Sequence, residues 1–459
     1  MFGPRLMFLV VVTVFFLLSL AIITIRPRLV FPMVLTVATL YNPLSASLLT
    51  VGSLSVTTLL LELVGAMAAA SLIVALLTRV YSPLTDIWRS ASRSSRLMIL
   101  LFMGMICIAA INTLLRDERA AGTPVAIAIW FFALAGGFNA TGSSGPRLPG
   151  RWFLLRSVTF ALGISLIGVW LLKQGGNIDV ILSVLILTAF ALLISSHSLF
   201  YRLAMAAIIV ICLVALIRFF SNSQSWLAGV LFGGIWMCVA FYAKRTSWFA
   251  RNRRLLAIVV LVSILILPMA TYMLYQGRKI GVAERIIPWG VNAFGETELN
   301  LLDRPARWEA LLVHIKEHQF NLKFTNFQDI YYIQSLGVSE SASPHNIIIT
   351  LGVFLGIPGI IIGCILLIAL ISSLLEAIVR GKPQARPITL AAFGIVCGFL
   401  FRNMWSNALF TWPIEITLFS LAILASWQVL IGARIEEMKT EDSDIETEEP
   451  KGDPVLERA

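Results

Sequence analysis

The residues able to do chemistry are few, and most fall in the stretch 276–380. Asp303-Arg304-Pro305-Ala306-Arg307-Trp308 stands near its start, and Ser343-Pro344-His345-Asn346 runs directly into an apolar segment carrying Gly352, Gly356, Gly359 and Gly363. Ser343 suits an N-cap and Pro344 the first helical position, which predicts His345 in the first turn. There the helix dipole disfavours the protonated imidazole, and a neutral histidine is suited to act as a general base. Free N–H groups of such a turn could also face a phosphate. The bland alternative is a histidine at a helix start with no chemistry.

Asp303 reads as the cap of an earlier helix with Pro305 in its first turn. In that helix Trp308, Leu311, Leu312 and Ile315 form an apolar stripe, expected to lie inward along a membrane surface. Arg304 and Arg307 then sit where a cation opposes the helix dipole, a penalty of roughly 0.3–1 kcal/mol. Arg307 has Asp303 four residues before it as a partner. Arg304 has none in sequence and is the better candidate for holding an external anion; otherwise it snorkels or pairs elsewhere. His314 and His318 have a spacing that can bind zinc, but no third ligand is evident, so both read as surface residues, and His197 reads as an ordinary loop residue.

The elements that position these groups are membrane helices. The chain has 459 residues, 58% hydrophobic and 13% charged, against roughly a quarter charged in ordinary soluble domains. Apolar runs recur, each near the ~20 residues that cross a bilayer core. The composition predicts an all-α, polytopic membrane protein of about 12 spans, counting 29–49 as re-entrant or fused because of Pro32 and Pro43. Leu6–Ile25 is expected to be a retained first span. Later spans are expected at 153–172, 178–195, 203–220, 225–243, 255–275, 346–371, 388–409 and 411–432. The basic loops 79–96, 244–254 and 376–387 predict one cytoplasmic side. The long polar segment 276–345 falls on the other side. The net charge of +10 reflects this loop bias and not nucleic-acid binding. The five cysteines lie in apolar runs, which argues against a disulfide framework or a CxxC metal site. The organisation read from the chain is 1–204, N-terminal spans; 205–432, the region holding the 276–345 loop; and 433–459, an acidic tail expected to be disordered and cytoplasmic.

Charges within spans are costly and usually line a cavity or form a pair. Glu62, Arg218, Arg402 and Glu415 are each expected in the half of the span facing the long loop. They read either as a shared polar cavity or as structural ion pairs, with snorkelling open to Arg218.

An Arg-x-x-x-Trp opening an external amphipathic helix (Arg304 to Trp308), a His-Asn at the start of a Gly-rich span (His345-Asn346, then Gly356-Ile-Pro-Gly359) and Arg402-Asn403 near the end of the penultimate span together resemble the O-antigen ligase and polymerase superfamily. The similarity covers roughly 205–430. It implies a GT-C-like helical architecture in the bacterial inner membrane with its active site facing the periplasm. It also implies metal-independent, inverting transfer of a glycan from undecaprenyl diphosphate, with no cofactor. Partners would be the lipid-linked donor, a lipid A-core or growing-glycan acceptor, and membrane lipids. By the resemblance Arg304 binds diphosphate and His345 is the base, with Arg218, Arg402 and Gln224 at the donor diphosphate and Trp308, Asn346 and Arg307 in support; Glu62 is added in support from the charges within spans.

Two features depart from the family pattern. Ser221-Asn-Ser-Gln-Ser225 places Gln224 where the family commonly has a cation, so either Arg218 supplies the charge or the donor is held more weakly. Gln319-Phe-Asn-Leu-Lys-Phe324 replaces the family's Pro-x-x-Gly-x-Gly, which bears on the acceptor pocket. The favoured reading is O-antigen ligation to lipid A-core, ahead of repeat-unit polymerisation. A transporter or flippase for an anionic substrate, and a non-catalytic envelope scaffold, are the readings from other classes.

Overall fold

Glycine on two facing helices sets the architecture. The computed structural model describes residues 152–172, 178–219, 224–244, 251–279, 308–319, 346–381 and 386–404, with 246, 248 and isolated positions before residue 102. Among them the elements are β1 (Thr50–Val51) paired antiparallel with β2 (Leu54–Ser55), then α1 (Phe153–Leu172), α2 (Ile178–Ser195), α3 (Leu199–Phe219), α4 (Gln224–Ala243) and α5 (Arg253–Lys279). A short helix, α6 (residues 308–317), follows. The series ends with α7 (Ile347–Arg380) and α8 (Arg386–Asn403). Apart from this two-residue ladder, the described elements are helices.

Four of the described helices are long and apolar enough to cross a membrane: Ile178–Ser195, Leu199–Arg218, Trp226–Ala243 and Gly356–Arg380. The expected spans 153–172 and 178–195 match α1 and α2 end to end. Large apolar side chains stay exposed on α3, among them Leu203, Val210, Val214 and Ile217. A face of that kind suits contact with acyl chains or another helix and not with water.

Helix α8 lies at the centre, packed against α2, α4, α5 and α7, and is buried along nearly its whole length. Its face toward α4 reads Gly394, Gly398, Arg402, one helical turn apart. The answering face of α4 reads Trp226, Gly229, Gly233, Met237. The two faces meet antiparallel. A Cβ on Gly398 would lie 2.5 Å from the Gly229 carbonyl oxygen, and one on Gly229 would lie 2.8 Å from that of Gly398. A Cβ on Gly233 would strike the Gly394 carbonyl, and one on Gly394 the Met237 sulfur. The helices therefore touch backbone to backbone, the packing that small residues allow between apolar helices.

Helix α7 is two half-helices. Gly356 has φ 69° and ψ −156°, a region that essentially only glycine occupies. The break precedes Pro358, which sits in the first turn of the second half, where no N–H is needed. The break therefore lies at Gly356 and not at the proline. The freed Ile357 N–H donates to the Gln319 carbonyl at the end of α6, at 2.9 Å. A Cβ on Gly352 would lie 2.6 Å from Ile315 Cδ1, so α6 is seated on the first half of α7. The contacts 315 with 352 and 319 with 357 advance together. The two helices therefore run in the same direction, with their N-terminal ends on the same side.

At the far end of the bundle Glu376, 1% exposed, meets Arg253 (3.4 Å) and Arg380 (3.6 Å). It was expected in a loop; α7 instead continues to Arg380 and encloses it. Gly398→Val should lower the thermal midpoint of the detergent-solubilised protein through overpacking of about 1–3 kcal/mol. Gly163→Ala, whose added methyl meets nothing within 4 Å, should not lower the midpoint and should raise it slightly through helix propensity. Gly356→Ala should cost about 1–3 kcal/mol through backbone strain, also read as a lower midpoint.

Candidate functional site

The glycine contact carries Arg402 to the first turns of α4. Arg402 is 7% exposed, and its guanidinium carbon lies 3.6 Å from the centre of the Trp226 ring. A desolvated arginine over an indole face gains about 2 kcal/mol or more. Trp226 is itself buried and meets Phe399 edge-on at 5.2 Å. One residue before Arg402, Phe401 stacks on Phe232 at 4.4 Å, fixing the end of α8. Asp179, at the start of α2, lies within electrostatic reach of Arg402 and beside the Trp226 indole. Its Oδ1 also accepts from Val180 N at 2.8 Å. The indole nitrogen is buried without a fully formed hydrogen bond.

The same end of α8 holds the start of α7. Asn346 is the N-cap: its Oδ1 accepts from Ile348 N at 3.0 Å and Ile349 N at 3.2 Å. Its Nδ2 donates to the Met404 carbonyl at 3.4 Å. Thr350 Oγ1 donates back to the Asn346 carbonyl at 2.8 Å. A single side chain thus caps α7 and ties it to α8. The expected cap, one turn earlier at Ser343 with Pro344 opening the helix, is corrected: the helix begins at Ile347. Histidine 345 therefore precedes the cap and is not in the first turn, so the dipole argument for its neutral form loses its basis. Two N–H groups offered as a phosphate cradle are already occupied by Asn346.

Helix α6 buries Trp308, Leu311 and Ile315 at 2%, 0% and 5% exposure, three of the four stripe residues. Leu312 faces outward instead, at 41%. His314, expected at the surface, is 9% exposed, and its Nε2 makes no hydrogen bond. Its ring stacks on that of His318 at 4.4 Å. The error has a physical reason: docking on the half-helix at Gly352 rotates the buried face toward 314 and away from 312.

Of the other sequence candidates, Arg218 ends α3 exposed, and α3 packs chiefly on α2. Gln224 opens α4 two residues before Trp226. The positive charge beside this start of α4 is Arg402, supplied from another helix. Arg304, Arg307, His345, Glu62 and Glu415 lie outside the described residues, as does the expected N-cap Asp303. Asp179 and Trp226 were missed by sequence reasoning. The signal that could have found Trp226 is the matched one-turn spacing Gly394, Gly398, Arg402 against Trp226, Gly229, Gly233.

Residues 207–364 match the family model described as O-antigen ligase. That match supports the O-antigen ligase superfamily resemblance read from the sequence, and with the apolar helices it indicates a membrane protein. It spans α3 to α7 and stops short of Arg402. No curated protein matches the chain at a significant level.

Burial, followed by the neighbouring His318, holds the His314 imidazole below its ordinary value, while Glu317 opposes this. A histidine whose folded value is lowered contributes stability that is fully present above the unfolded value of about 6.5 and is lost as pH falls through it. Docking of α6 should therefore loosen as pH falls below about 6.5, seen as lower amide protection factors across 308–317 once the intrinsic pH dependence of exchange is divided out. His314→Leu should make those protection factors insensitive to pH in this range.

Proposed function

From a family match that implies lipid-linked glycan substrates, we propose that the protein is a periplasm-facing, metal-independent inverting glycosyltransferase. It moves a glycan from undecaprenyl diphosphate to an acceptor sugar, with ligation of O-antigen to lipid A-core as the favoured reaction. The observation that carries this reading is the tie of Asn346, the chain neighbour of His345, to the end of α8 that bears the buried Arg402. In support, α6 and the first half of α7 start on the same side. Their preceding residues, Arg304 and Arg307 before α6 and His345 before α7, are thereby candidates for one site.

In this mechanism His345 takes the proton of the acceptor hydroxyl as its oxygen attacks the anomeric carbon. The bond from that carbon to the diphosphate oxygen breaks on the opposite face, inverting the centre. The leaving diphosphate gains negative charge, which pre-placed arginines stabilise more strongly than water does. Arg304 and Arg402 serve that role, with Trp308 seating the helix behind Arg304 and Arg307. Arg218 and Gln224 border the donor site, and Glu62 supports the cavity wall. Because Asn346 occupies the N–H groups of Ile348 and Ile349, the anion grip falls to side chains more than to backbone.

Repeat-unit polymerisation differs only in the acceptor. A transporter or flippase for an anionic substrate has less support, since the charges seen at described positions sit at helix ends and not along a path through the bundle. In reconstituted transfer from an undecaprenyl-diphosphate glycan, His345→Ala and Arg304→Ala should each lower the rate about 100-fold or more, with chelator making no difference. Wild-type rates in both variants would sink the assignment. In a deletion strain, loss of long chains from lipid A-core while polymer stays lipid-linked marks a ligase. A single-repeat ladder marks a polymerase.

A further inference from the structure

We propose that Trp226 is the positioning residue for Arg402, holding its guanidinium flat on the indole face so that its N–H edge meets the diphosphate of the lipid-linked donor. The proposal deepens the function proposed above and rests on it for the identity of the anion.

An arginine side chain is long and flexible, and pointing it at a ligand means freezing several rotors. Here the neighbours do the freezing. The guanidinium carbon sits 3.6 Å over the ring centre, and the ring is buried with Phe399 packed edge-on against it. Gly229 adds the second constraint: a Cβ there would lie 2.8 Å from the Gly398 carbonyl oxygen, so the absent side chain leaves α8 close enough for the stack. Stacking uses the face of the guanidinium and leaves its rim of donors in plane, the geometry that suits bidentate phosphate contacts. The Asp179 carboxylate, within electrostatic reach, offsets the buried cation. Trp226 lies on α4, inside the O-antigen ligase match, whereas Arg402 lies outside it. The stack therefore connects the matched region to a charge it does not contain.

The test is binding of undecaprenyl diphosphate to the full chain in nanodiscs, together with KM and kcat for the lipid-linked glycan. Trp226→Phe keeps an aromatic face and should bind within about threefold of wild type. Trp226→Leu should weaken binding about tenfold or more, approaching Arg402→Ala. It should raise donor KM more than it lowers kcat, and its thermal midpoint should fall because a buried indole is lost, so binding is compared at a temperature below every variant's midpoint. Wild-type affinity in Trp226→Leu, or Trp226→Phe no better than Trp226→Leu, overturns the positioning role and leaves the donor assignment standing. Should Trp226→Leu fail to fold, Arg402→Lys, which keeps the charge without a flat face, must show the same loss. Wild-type affinity there also overturns it. If the wild type itself binds no undecaprenyl diphosphate, the donor assignment fails and the proposal falls with it.

Discussion

The backbone contact between α4 and α8 is the constraint on which the rest of the described structure depends. Two glycines on each helix allow carbonyl oxygens to sit where a Cβ would otherwise lie, and in a lipid-facing protein such contact replaces the hydrophobic force that water would supply. The consequences run outward along α8. Arg402 follows the glycines at one-turn spacing and so lands on Trp226. Met404, two residues on, presents its carbonyl to Asn346. The place where α7 begins is thereby set by how closely α8 approaches α4.

A second break in regularity does a different task. Gly356 interrupts the ladder of α7, and the N–H exposed there is taken by the Gln319 carbonyl in the turn that follows α6. Without that partner the break would leave a donor outside the helical ladder with no protein acceptor. The short helix and the half-helix therefore stabilise one another, although each alone is too short to persist in isolation.

The positions of α1 and α2 were legible in the sequence, since long apolar runs leave little choice of helix position. Arg402, Trp308 and Asn346 were singled out from the sequence, and all three are buried. What failed were decisions that depend on a partner. Ser343-Pro344 and Asn346 are both plausible caps, and the choice was made by Met404, some 58 residues away. Leu312 and His314 are both adjacent to the stripe of α6, and Gly352 on another helix selected between them. The stack of Arg402 on Trp226 joins residues far apart in sequence, and a one-helix pattern search sees only half of each such pair. Even Glu376, which reads as a loop acid beside basic neighbours, is claimed by Arg253 from α5.

Helix length gives the break at Gly356 one more meaning. At 1.5 Å per residue the second half, Gly356–Arg380, with 25 residues, spans about 38 Å. That already exceeds the ~30 Å hydrocarbon core. The residues from Ile347 to Leu355 are therefore surplus to crossing the bilayer, and add about 13 Å at the end where Asn346 is tied. A segment released from spanning can be aimed by its neighbours instead of by the membrane normal, and here those neighbours are α6 and the end of α8. The half of α7 after Gly356 is long enough to span by itself, and the half before it is placed by its protein contacts.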